Sequence, residues 1–482
     1  MIQLLDKSTP LSNAMRLSGP FSLIVSSVEL FALNGTGIRT FSRSLVAALG
    51  NKKGLPLDLL ISTTSSSGSG MLAGSNIFQV HVKKSRLYRA AFVARLKIIQ
   101  LLRISLWPSV RRLQRISAAH PLCRGALEKC FGETATDNIL EPTHEAEEHT
   151  RYKGLLCSKY LFDDATILFK LNRRLLHLSL PRQMLGRHAN RPLYHSPLPY
   201  PVVINGCLNV CTIHDLIPIS HPELCLDDPS YFYDLVDSLL NVCDGIHCIS
   251  HYSAAQLKIY YGNKSDGKTF VAHQPIPLSH LTSGYQENVI NAHRRQSALV
   301  SSCESKYILQ VGSIEPKKNH QTTLNAFRRL REKNSSLRLV IIGKPGWLTE
   351  DLCDYLSAAK PDGIEWLRSA SYGTLIRYMQ GASAVVFPSL VEGWGLPPLE
   401  AMSFGAPVVA SPIQPCKEAC GTAALYMTDP LDSISLADNL QHMLSTPELS
   451  EQLIKNGFEQ AKKYNVGQFA DELFKGYGKI TT

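Results

Sequence analysis

Short apolar runs separated by glycine, proline and serine turns recur along the chain, and they become markedly more regular in its second half. Six of them, at residues 307–314, 337–343, 364–367, 382–389, 407–411 and 424–427, have strand length, and most are followed by a helical segment. Continuous apolar strands alternating with helices predict a parallel sheet covered on both faces, a doubly wound α/β domain. Ligands of such sheets bind beyond the carboxyl ends of the strands, so the turns after these runs are where chemistry is expected.

The first half is patterned less evenly. Residues 21–27 predict a strand, followed by a turn region with Gly35 and Gly37 and a helical pattern over 38–49. Strand-length runs at 57–63 and 76–82 lie on either side of a Ser/Gly-rich stretch, 64–70. No elements are assigned from there to about residue 187. Order returns at Pro192, with strands predicted at 208–213, 245–250 and 269–273 and helices at 230–242 and 253–260. The polar run 286–306 is expected to link two domains.

At 482 residues the chain exceeds one ordinary hydrophobic core, and 44% hydrophobic with 19% charged residues is a globular composition. The start lacks the basic-then-apolar layout of a secretory signal, and no run reaches the roughly 18 apolar residues of a membrane span. A cytoplasmic protein is expected. The 12 cysteines are dilute and form no C-x-x-C pair, so buried free thiols are expected rather than disulfides or zinc. The formal charge of +10 is concentrated in residues 83–115, which hold ten lysines and arginines, Lys83 and Arg115 the outermost, and no Asp or Glu. Apolar residues interleave with them, which suits an anionic membrane surface, although the basic residues do not gather on one helical face. No nucleic-acid module accompanies the charge, and no nucleic-acid partner is expected.

The densest constellation follows the fourth strand of the second half, where Glu392-Gly-Trp-Gly-Leu-Pro-Pro-Leu-Glu400 begins a helix. Gly393 and Gly395 allow a ligand close to the backbone, and Pro397 and Pro398 suit a first helical turn. Free amides at that helix start would receive a diphosphate. Glu392 and Glu400 would repel phosphate and are better used as acceptors for sugar hydroxyls. No Asp-x-Asp occurs in the chain, so a divalent metal is not indicated.

With these residues in place, the sequence resembles the family-4 retaining glycosyltransferases, which have the GT-B fold of two Rossmann-like domains facing a cleft. Glu392 and Glu400 match the family's Glu, seven residues, Glu signature. Phe387-Pro-Ser, Gly405-Ala-Pro-Val-Val and Gly312-Ser-Ile-Glu-Pro-Lys-Lys-Asn319 look like its flanking motifs, while Thr212-Ile-His-Asp-Leu-Ile-Pro218 and Tyr194-His-Ser-Pro197 are similar to segments of its mannosyltransferase branch. The resemblance implies an acceptor-side domain over residues 1–290 with a basic insertion near 83–190, a nucleotide-sugar domain over 305–465, and a helix at 466–482 crossing back.

It also implies roles. Glu400 would hold the donor ribose, Glu392 would lie by the transferred sugar, and amides of Gly393, Trp394, Gly395 and Leu396 would meet the diphosphate and sugar. Lys318, with Lys317, would clamp the diphosphate; His214 would sit beside the sugar, with Asp215 as a candidate orienter; Gly35 and Gly37 would let a loop close over the phosphates. His195 and Trp347 are weaker site candidates. Many members carry an arginine where this chain has Ser313. The donor expected is a nucleotide sugar, GDP-mannose by similarity, used without a metal or other cofactor, and the acceptor a saccharide or lipid-linked saccharide at the inner face of the plasma membrane. A nucleotide-sugar epimerase and a non-catalytic sugar-nucleotide-binding protein are the alternatives.

Overall fold

The structure, a computed structural model, describes residues 23–26, 37–50, 57–62, 138–140, 152–157, 161–179, 191–276 and 306–481. The expected strand at 76–82, Gly35, the basic segment 83–115 and most of the 286–306 linker lie outside them. Two large parallel sheets organise the rest.

The N-terminal sheet contains β1 (Leu23–Ser26), β2 (Leu57–Ser62), β3 (Asn138–Leu140), β4 (Tyr152–Cys157), β6 (Leu193–Ser196), β8 (Leu208–Ile213), β9 (Gly245–Cys248) and β10 (Thr269–Val271). Its order is β10-β9-β8-β6-β1-β2-β4-β3, parallel except for β3 against β4, and β5 (Leu176–Ser179) pairs separately with β7 (Val202–Asn205). The longer described helices of this half are α1 (Gly37–Gly50), α2 (Leu161–Asn172), α3 (Pro229–Val242) and α4 (His251–Tyr261), and a single helical turn lies at Ile217–Ser220. Asp228 caps α3 by accepting from the amides of Ser230 and Tyr231, and Ser250 caps α4 through Ser253.

The C-terminal sheet joins β11 (Tyr307–Val311), β12 (Arg338–Ile342), β13 (Ile364–Leu367), β14 (Ala384–Phe387), β15 (Val408–Ala410) and β16 (Ala424–Tyr426). All its pairings are parallel, in the order β13-β12-β11-β14-β15-β16. Counted from its own first strand this is 3-2-1-4-5-6, the dinucleotide-binding arrangement, and its direction of winding reverses between β11 and β14. Strands β14 and β15 are buried along their whole length, as covered parallel strands must be. Around them lie α5 (His320–Lys333), α6 (Glu350–Ala358), α7 (Tyr372–Gly381), α8 (Leu396–Ser403), α9 (Gln414–Cys420), α10 (Ser433–Ser445) and α11 (Pro447–Lys462).

The last helix, α12 (Val466–Thr481), leaves this half and packs on α1, β9 and β10. Gly476 makes that approach close: a Cβ there would lie 2.2 Å from the Phe270 ring. One buried apolar cluster consequently runs from Phe41, Leu45 and Phe270 through Phe469 and Tyr477 to Trp394 and Leu399, joining the halves. Eight cysteines among the described residues are free thiols. No described helix is long and apolar enough to cross a membrane.

Candidate functional site

The turns after β11 and β14 meet at the point where the C-terminal sheet reverses. The first turn is shaped by Asn319, whose left-handed backbone (φ 53°) an asparagine tolerates better than most residues. Its side-chain amide donates to the carbonyls of Pro388 (3.0 Å) and Pro430 (2.7 Å), tying the lysine turn to the end of β14. Further bonds run from the Gln310 side chain to the Lys318 carbonyl (2.9 Å) and from the Leu390 amide to the Lys317 carbonyl (2.8 Å). The backbone under both lysines is therefore fixed.

On this base Lys318 Nζ lies 2.5 Å from Glu392 Oε1 and 5.3 Å from the centre of the Phe387 ring, with both charged side chains largely covered. Lys317 Nζ lies 3.5 Å from Glu315. Burial works against the Lys317 charge, but Glu392, Glu315 and Asp215 outweigh it and hold the ammonium more firmly protonated than usual. Glu400 sits one turn into α8, where burial raises its carboxyl to about 7.

The helix start differs in detail from the expectation of several free amides. Pro397 and Pro398 have no N–H, and α8 has no side-chain cap, so the first turn offers the Leu396 amide. Together with Gly393, Trp394 and Gly395 it makes four successive amides that donate to nothing among the described residues. Gly393 is required by contact with the other half: a Cβ would lie 2.5 Å from the His214 carbonyl oxygen and 2.7 Å from Asp215 Cβ. Its carbonyl is held by Ser250 Oγ (2.7 Å), while Ser253 Oγ donates to the His214 carbonyl (2.7 Å).

His214 thus reaches the loop from the N-terminal half, but Asp215 does not orient it. The imidazole Nε2 donates to the Pro197 carbonyl (2.9 Å) and the ring stands edge-on to Phe41, whereas Asp215 accepts from the Ile217 amide (3.0 Å) in the following turn. Burial lowers His214 to about 4, so it is a neutral imidazole with Nδ1 left as an acceptor. Gly37 is the first residue of α1, and Trp347 is half-buried in the turn after β12.

His195 belongs elsewhere, in a buried chain of hydrogen bonds across three strands. His195 Nδ1 lies 2.6 Å from the Tyr477 hydroxyl and its Nε2 2.8 Å from Thr212 Oγ1; Thr212 Oγ1 lies 3.0 Å from His247 Nδ1, and His247 Nε2 2.9 Å from the Ala272 carbonyl. The carbonyl can only accept, which fixes every proton in turn: Tyr477 donates to His195, His195 to Thr212, Thr212 to His247, and His247 to Ala272. Both histidines are neutral, His195 lowered well below its ordinary value and His247 to about 3, chiefly by burial. This chain fastens α12 to β6, β8 and β9 without any ligand.

A second group, invisible in local sequence because its members are far apart, lies at the seam. Glu418 accepts from the amides of His251 (2.6 Å) and Tyr252 (3.0 Å) at the start of α4, and from His273 Nε2 (3.1 Å). His251, His273 and Glu418 bring their side-chain donor atoms within 4.8 Å of one another, the one such group among the described residues. Both Glu418 oxygens are already occupied by N–H donors, so the group is complete as a proton-bridged cluster.

Residues 293–460 match the family of glycosyl transferases group 1. The serotype-specific mannosyltransferase WbdA of Escherichia coli is 26% identical over 229 residues, 46% of this chain and 28% of WbdA. The O-antigen chain mannosyltransferase B of Escherichia coli is 32% identical over 175 residues, 36% of this chain and 45% of that protein. The matched region spans less than half the length of either relative. The solved sucrose-phosphate synthase of Thermosynechococcus elongatus superposes with a TM-score of 0.58 at 15% identity, covering 95% of this chain and 98% of that one. The chain has the GT-B fold, and its residues 293–460 are similar to the group 1 glycosyl transferases, with mannosyltransferases among the proteins it resembles.

Proposed function

We propose that this protein is a retaining glycosyltransferase that moves a mannosyl group from GDP-mannose to a saccharide or lipid-linked acceptor in cell-surface polysaccharide synthesis. The observation that carries the reading is the meeting, at the reversal point of the C-terminal sheet, of a covered lysine and carboxylate pair with four uncommitted amides. Cations and amides are what a diphosphate needs, and carboxylates are what sugar hydroxyls need. The mannosyl assignment draws on the names of the WbdA and O-antigen relatives.

On this reading the donor's diphosphate takes Lys318 from Glu392 and lies along the amides of Gly393 to Leu396. Glu392, released, accepts from hydroxyls of the sugar, and Glu400 accepts from the ribose. As the bond from the sugar to phosphate breaks, negative charge grows on the phosphate oxygen, where Lys318, Lys317 and the amides oppose it. The same charge makes the leaving phosphate a base for the acceptor hydroxyl, delivered on the face from which it departs. His214, neutral and fixed by Pro197, offers an acceptor beside the sugar. Lysines and amides supply the positive charge, and the reaction is read as independent of a metal. Residues 83–115 would hold the enzyme against the anionic inner face of the membrane, an association expected to weaken at high salt.

Isothermal calorimetry against a panel of GDP- and UDP-sugars without added metal tests the reading. Selective binding of GDP-mannose, followed by acceptor-dependent release of GDP, is the expected result. Binding of a UDP-sugar alone would replace the donor; conversion of the donor without an acceptor would indicate an epimerase; no binding at all would reject the transferase reading. Glu400 supplies a second check: ribose hydroxyls favour its ionised form, so donor binding near pH 7 should release a fraction of a proton. That release, measured in buffers of different ionisation enthalpy, should vanish in Glu400→Gln.

A further inference from the structure

His273, just beyond β10, is held from two sides by carboxylates of different parts of the chain. Its Nε2 faces Glu418 of α9 at 3.1 Å, and its Nδ1 faces Glu472 of α12 at 3.3 Å. Its backbone amide donates to the same Glu472 (2.8 Å). The ring packs 5.2 Å from Trp394 and 5.6 Å from Tyr464, and Trp394 also stands edge-on to Tyr464 at 5.1 Å. Trp394 is flanked by Gly393 and Gly395, inside the run of free amides. The remaining titratable neighbour is His251, 5.2 Å away ring to ring.

We infer that His273 is a positioning residue: by bridging Glu418 and Glu472 it holds the two halves together and fixes Trp394, and through it the amides of Gly393 to Leu396, in donor-binding geometry. This rests on the reading of those amides as the diphosphate site. A neutral imidazole has one N–H and would leave one of the two carboxylates facing a lone pair; a charged imidazole donates to both. Burial alone would lower His273, but its hydrogen bonds to Glu418 and Glu472 outweigh it and raise it to about 9. If the halves part, Glu418 departs with the C-terminal half while Glu472 stays on α12, so His273 drops below its bridged value of about 9. Because the bridged form has the higher value, closure is favoured most at low pH and loses that support as pH rises towards about 9.

Two measurements on the full chain test this. The first is intrinsic tryptophan fluorescence from pH 6 to 10, which needs no substrate. The wild type should show a transition near the His273 value, His273→Gln should lack it, and Glu472→Gln should move it towards neutrality. The second is donor kinetics: His273→Gln should raise KM for the nucleotide sugar about tenfold with a smaller effect on kcat, a typical size for coupling between sites. His273→Arg, which keeps a cation with several donors, should recover most of the loss. A fluorescence titration identical in wild type and His273→Gln, or an unchanged KM, would overturn the inference. A wild type that binds no nucleotide sugar would instead reject the transferase reading, and the fluorescence arm would still decide the bridge.

Discussion

Strands β14 and β15 of the C-terminal sheet are apolar throughout, and the charges of the candidate site, Lys317, Lys318 and Glu392, stand in the turns beyond the strand ends. The N-terminal sheet instead carries His195, Thr212 and His247 within β6, β8 and β9, every one buried. In the C-terminal half, on the proposed function, charged groups pair with one another in a way that a ligand can exchange. In the N-terminal half they are satisfied internally, and an interior chain of this kind fixes strands and a helix rather than binding anything. Damage to the two should therefore be felt in different measurements.

The largest effect is expected for Lys318→Ala, which removes a cation from the proposed leaving-group site: turnover should fall by about 10²–10³-fold. Its thermal midpoint should stay within about 4 °C of wild type. A large loss of stability with retained turnover would abolish the contrast between the sheets. Next comes His247→Leu, which leaves the Thr212 hydroxyl and the Ala272 carbonyl without their partner; unfolding by urea should show a loss of about 2–4 kcal/mol, with donor affinity kept in the folded protein. This variant also tests the sign of the pH response. Since His247 is held near 3 when folded, its contribution is present above about pH 6.5 and is lost as pH falls towards that value, opposite to His273. The variant should therefore lose stability less steeply in acid than the wild type.

Tyr477→Phe removes one donor, that to His195 Nδ1, and should cost about 1–2 kcal/mol, with faster hydrogen exchange in α12 as the specific sign. The smallest change is expected for Asp215→Asn. Because Pro197 holds His214, kinetics should change less than twofold, on the order of the 0.5 kcal/mol typical of neutral substitutions.

Much of the C-terminal half was legible because each apolar run ends in a Gly, Pro or Ser turn and is long enough to be a strand and no longer. The stretch from Glu392 to Glu400 stood out because two glycines and two prolines lie between two carboxylates, just after such a run. The pairing of Lys318 with Glu392 was not legible, since the 74 positions between them are closed only by the adjacency of β11 and β14. Asp215, the candidate orienter of His214, has its carboxylate claimed by the next turn, and the Pro197 carbonyl holds the ring instead. Strands β6 and β7 were not assigned because each has only four residues, ending in His195-Ser196 and Asn205, and follows a proline; His195 finds its partners on β8 and on α12, 282 positions away. The seam was hidden most completely, with His273 and Glu472 separated by 199 positions.

Helix α12 has a consequence for how the chain comes into being. His195 and its acceptor nitrogen emerge from the ribosome 282 residues before Tyr477, a delay on the order of tens of seconds at ordinary rates of synthesis. Throughout that interval the N-terminal sheet has no final donor for its histidine chain and no α12 over Phe270. The first half to be made is thus the last to be finished, and a gene cut between the two sheets should yield an N-terminal product that depends on chaperones or on α12 supplied in trans.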